Sequence, residues 1–185
     1  MAVADRIKEA VDKMNLGESI NALIQVCIAV DATAKKEYPG YKVGKRIKGF
    51  LRNNQGFLTR VAFGNIEVQG DIELQFVSKN GKQEALTLQE VLYKLVRCSL
   101  VHEGELSDRV QITPNLILGF SKEGKFLLAH GLIWGMIIAV IGSPVNSKEL
   151  VPDHYWIGIG GQRKALNELW GKKVEILRLA RKRDA

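Results

Sequence analysis

The segment Lys94-Leu95-Val96-Arg97-Cys98-Ser99-Leu100-Val101-His102-Glu103-Gly104 sets Arg97, Ser99 and His102 in an otherwise mostly apolar run. Histidine gives and takes protons near neutral pH. Arginine carries a permanent charge on a forked donor that fits a phosphate. Together they suffice to cleave a phosphodiester without a metal. His102 would serve as base or acid, Arg97 would stabilise the crowded phosphorane, and Ser99 would add a hydroxyl donor. Arg97 and His102 stand about 140° apart around a helix of 3.6 residues per turn. They can meet at one groove if another helix or a second subunit packs against that helix end. The bland reading is that both side chains favour the helix dipole and bond the last carbonyls.

An Arg-x4-His spacing near the end of an apolar helix, in a basic and largely helical chain, resembles the HEPN superfamily. Its signature is an Arg followed by four to six residues and then a His. Glu103-Gly104 and Cys27-Ile28-Ala29-Val30-Asp31-Ala32 fit the same resemblance, which covers about residues 17–63, 87–104 and 129–180. It implies a mainly α fold, a HEPN-like helical bundle carrying small β-strand insertions. It also implies metal-independent RNA cleavage in active members, and homodimers whose two motifs face each other across a cleft. Active members often place Asn, Asp or His directly after the Arg, where this chain has Cys98. A second expectation therefore stands beside the nuclease: a non-catalytic module that binds RNA or a partner protein.

Asp31 falls on an apolar helical stripe, and a carboxylate there needs a partner. Arg97 across the bundle is the candidate, either oriented by Asp31 for phosphate or held in a structural ion pair. Residues 42–60 carry Lys42, Lys45, Arg46, Lys48, Arg52 and Arg60 with no Asp or Glu among them. Lys45, Lys48 and Arg52 can share one helical face, with Tyr41, Phe50 and Phe57 interleaved. Such a face can track an RNA backbone and stack bases, or it can be a solvated face with the aromatics in the core. Arg178, Arg181, Lys182 and Arg183 form a second basic patch. The net charge of +7 and pI near 9.4 favour anionic partners. Two cysteines, Cys27 and Cys98, lie in separate apolar stretches and read as buried thiols. Neither they nor His130 and His154 have metal-ligand spacing, so no metal and no cofactor is expected.

The elements that would position these groups follow from periodicity. At 185 residues the chain suits one domain over 1–185. Helices are expected over 4–14, 17–38, 87–102, 129–141 and 161–183, with 41–63 as one helix or two, broken near Asn53-Asn54 or Gly56. Ile20, Ile24, Cys27, Ile28 and Ala34 mark the core face of the second helix. Thr87 caps the central helix with Glu90 as its capping-box partner, and Leu88, Leu92 and Leu95 form its stripe. Alternating residues and turn signals such as Asn80-Gly81 predict β-like insertions over about 64–86 and 109–128, and 146–160 reads as loop. Residues 126–145 lack Asp, Glu, Lys and Arg. A buried helix there, rather than a membrane span, and a cytoplasmic location are the expectations.

Overall fold

The computed structural model describes residues 2–64, 66–68, 70–77, 83–102 and 105–181, excluding the side chains of Val77, Val101 and His102. Asn80-Gly81, Glu103, the helix stop at Gly104, Lys182 and Arg183 lie outside the described residues.

Helices α1 (Val3–Asn15), α2 (Ser19–Glu37), α3 (Val43–Asn53) and α4 (Gln55–Phe63) open the chain. The break between α3 and α4 falls at Asn54, whose Nδ2 donates to the Phe50 carbonyl at 2.8 Å. A hairpin of β1 (Glu73–Val77) and β2 (Gln83–Thr87) follows. It leads without a gap into α5 (Leu88–Val91), a π-helical segment (Leu92–Cys98) and α6 (Ser99–His102). Strands β3 (Val110–Thr113), β4 (Leu118–Phe120) and β5 (Phe126–Ala129) form a sheet of order β3-β5-β4. β5 is parallel to β3 and antiparallel to β4. Helix α7 (His130–Gly142), the hairpin β6 (Trp156–Ile159) and β7 (Gln162–Ala165), and helix α8 (Lys173–Arg181) complete the order.

α7 lies at the centre of the core, packed on α4, α2 and α8. All its residues from Leu132 to Gly142 are buried except Trp134. Close packing on α4 depends on Gly131 and Gly135, one turn apart. A Cβ at Gly131 would stand 2.5 Å from the Ala62 carbonyl oxygen, and one at Gly135 2.9 Å from that of Leu58. The uncharged stretch 126–145 thus divides into β5, α7 and a 3₁₀ turn. No described helix is long and apolar enough to cross a membrane.

The fold departs from the expected mainly helical bundle. Among the described residues seven strands form three small sheets, making it a mixed α and β architecture. Two of those strands, β6 and β7, occupy ground read as loop and helix. Trp156 to Ile159 alternates outward and inward, with Ile157 and Ile159 buried. Gly160 and Gly161, at φ 57° and 77°, supply the two positive-φ positions of a tight two-residue turn. The final helix consequently begins at Lys173, twelve residues after Gly161.

Candidate nucleic-acid interface

The sequence-marked residues meet around α3, whose two faces carry different chemistry. Ile47, Phe50 and Leu51 are buried, and Arg46 turns inward beside them towards α2. Its Nε and Nη2 donate to Asp31 Oδ1 at 3.0 and 2.6 Å. Arg97 Nη2 donates to the other oxygen, Oδ2, at 3.1 Å. Asp31 therefore pairs with Arg97 and also with Arg46, a partner not foreseen although it lay in the basic run. The three side chains are only 21% (Asp31), 15% (Arg46) and 12% (Arg97) exposed. Two cations on one carboxylate satisfy its charge and tie α2, α3 and the π-helical segment together.

The environment of Arg97 leaves little room for a substrate. The cavity at its side, lined also by Cys27, Leu92, Val96 and Met136, holds only about 10 Å³, roughly the space of a single water. Burial pushes the Cys27 thiol up to about 12, which removes it as a nucleophile at neutral pH. Burial, then the neighbouring Cys98 thiol, hold the Tyr93 phenol above its ordinary value. Ser99 is buried at 8% exposure. His102 closes α6, and its side chain lies outside the described residues. Among the described residues no three His, Cys, Asp or Glu side chains converge as a metal site.

The outward face of α3 forms one wall of a groove of about 680 Å³, with Lys42, Lys45, Lys48 and Arg52 along it. Tyr93 and Gln89 line the groove from the central helix. The amphipathic spacing expected for Lys45, Lys48 and Arg52 is thus present in three dimensions. Two acidic residues distant in sequence reach this face. Arg52 contacts Asp71 at 2.8 Å, and Lys48 approaches Glu90 at 4.0 Å. Tyr41, 45% exposed, stacks on Tyr38 at 5.7 Å between centroids, and Lys45 Nζ lies 4.1 Å from its centroid. Phe50 and Phe57 belong to the core, as the alternative reading of this run has them.

Local sequence explains this wall. Tyr93 packs against Gly44, where a Cβ would come within 3.1 Å of the phenol ring. Lys42 caps α3 with no side-chain bond, and its first turn holds no acidic residue, so the helix dipole adds positive potential at that end. Glu90 is fixed by the predicted capping box. The Thr87 N–H and hydroxyl donate to its Oε2 at 3.1 and 3.0 Å, which lowers the carboxyl below its ordinary value. Gln89 was not foreseen, because an amide in the first turn of a helix carries no periodic signal. A larger cleft of about 800 Å³ runs between α1 and the β6–β7 hairpin. There Arg60 is occupied by Glu67 at 2.9 Å, and the Asp12 carboxylate accepts the Tyr155 hydroxyl at 2.8 Å.

Comparison with known proteins gives a family. Uncharacterized protein Rv1289 of Mycobacterium tuberculosis and uncharacterized protein Mb1320 of Mycobacterium bovis are each 24% identical to this chain over 159 residues, covering 81% of it and 74% of the relative. No solved structure matches. The Rv1289 family matches residues 2–184, so the chain belongs to that family.

Proposed function

We infer that the protein binds single-stranded RNA along the outward face of α3. The observation that carries this reading is the groove itself: four cations on one wall, with tyrosines within reach of a strand. Cations at that spacing follow a phosphate backbone, and aromatic faces accept bases without strong sequence preference. The Arg97-to-His102 spacing, with its resemblance to the HEPN motif, supports RNA as the strand. The ion pair with Asp31 supports a positioning role for Arg97, in which it holds the central helix against α2 and α3. Binding is therefore preferred over cutting as the activity of this surface.

The test is a titration of a fluorescent twelve-nucleotide RNA at several salt concentrations, with EDTA present. Four phosphate contacts give a slope of log K against log salt of about −3. Lys45→Glu with Lys48→Glu should weaken binding at least about tenfold at low salt and flatten the slope by about 1.4. A wild-type protein that fails to bind at about 50 mM salt, or a double variant that binds as well as wild type, overturns the reading.

A further inference from the structure

Gly158 stands inside β6, opposite Arg163 of β7 and two residues along the same face from Trp156. A glycine inside a strand costs stability, and it marks a bulge, a sharp bend or the close approach of a ligand or another backbone. The β6–β7 register runs through four consecutive pairs without a bulge. Gly158 does not have a positive φ, so its backbone conformation suits any residue. Its two chain neighbours apart, no atom of the described residues comes within 4 Å of the place its Cβ would take. Neither close packing nor an overlying aromatic ring therefore calls for glycine there. What the glycine provides is space. Gly158, Trp156 and Arg163 all line the cleft of about 800 Å³ between α1 and this hairpin.

The bare position is flanked by an aromatic face and a cation. Trp156 is 43% exposed, although indoles are mostly buried. Arg163 Cζ lies 5.0 Å from the indole centroid, and no carboxylate among the described residues pairs with it. The cleft's other arginine, Arg60, is held by Glu67, and the charge of Asp12 is offset by Lys8 at 3.3 Å. We propose that this cleft binds a small molecule that pairs a planar ring with an anionic group. The ring lies on the bare backbone at Gly158 beside Trp156, and the anion meets Arg163. The cleft shares no lining residue with the α3 groove, so the site does not rest on the RNA-binding reading. An indole attracts a second flat ring, and a guanidinium forks onto phosphate or carboxylate alike. A nucleoside phosphate and an aromatic carboxylate share that chemistry.

Calorimetric titration of the wild-type protein with two probes and their halves tests this. AMP is compared with adenosine and ribose 5-phosphate, and indole-3-acetate with indole and acetate. At least one whole probe should bind at least about tenfold more tightly than either of its halves, and the tighter of the two names the source of the ring. Failure of both whole probes to bind with Kd below about 1 mM overturns the proposal, and so does a half that binds as well as its whole. Gly158→Val fills the bare position. It should weaken the whole probe at least about tenfold while Tm stays level or rises by about 1–4 °C, because a strand favours valine over glycine. Undiminished binding by this variant, or a fall in Tm, overturns the role given to Gly158. Arg163→Gln alters an exposed side chain and should bring the whole probe down to the affinity of its uncharged half; a retained difference overturns the site. RNA affinity should be the same in Gly158→Val and wild type, so either site can fail without the other.

Discussion

Replacing Asp31 by Asn tests whether one carboxylate holds three helical segments together. The substitution keeps size and shape but removes the charge that offsets both Arg46 and Arg97. Removing one partner of a buried ion pair costs about 3–5 kcal/mol. Exposed pairs contribute at most about 1 kcal/mol. With the three side chains between 12% and 21% exposed, the case lies near the buried limit, at about 3 kcal/mol. For a chain of this size each kcal/mol moves the melting temperature by about 2–4 °C, so Asp31→Asn should lower Tm by about 6–12 °C. Thermal melting followed by circular dichroism reads this directly. A cycle with Arg46→Met isolates the pair: the double variant should lose clearly less than the sum of the singles, by about 1 kcal/mol or more. A Tm within about 2 °C of wild type for Asp31→Asn would refute the argument. Strict additivity in the cycle would refute the pairing with Arg46.

Two further outcomes follow from the geometry. Gly131→Ala places a methyl group 2.5 Å from the Ala62 carbonyl oxygen and should destabilise by about 1–3 kcal/mol, read by urea titration; an unchanged midpoint would mean that α4 and α7 can separate freely. Glu90→Ala removes half of the capping box and should cost about 1 kcal/mol at pH 7. Because the folded carboxyl lies below its ordinary 4.5, that stability is present above pH 4.5 and is lost as pH falls through the lower folded value. The gap between variant and wild type should therefore close under acid, and a gap independent of pH down to about 2 would contradict the assigned bonds.

Local chemistry was legible wherever a residue type dictated it. The Thr87 and Glu90 cap is present as its spacing implied, and the 41–63 segment breaks at Asn54. The face of α2 was less legible. Ile20, expected in the core, is 49% exposed, while Ala22, Leu23, Val26 and Val30 are buried. Small alanines on α2 make two faces almost equally apolar, and only tertiary packing chooses between them. The β6–β7 hairpin was hidden for a related reason. Two four-residue strands joined by Gly160-Gly161 give too few alternations to outweigh a loop reading.

The central helix joins these gains and losses in one element. An α-helical stripe through Leu88, Leu92 and Leu95 predicts Leu95 in the core, but Leu95 is half-buried and Val96 is fully buried. The π-helical winding over Leu92–Cys98 accounts for the shift, because each of its bonds spans one residue more than an α-turn does. It also bears on the function proposed for the groove. Here Tyr93 lines the groove against Gly44, while Arg97 lines the small interior cavity and reaches Asp31. Consecutive residues of α3 divide in the same way, Lys45 lining the groove and Arg46 turning to Asp31. The ion pair thus fixes the wall of the groove from behind. π-Helical turns occur often at functional sites, and this one carries both the residue that would meet a base and the residue that holds the wall in place.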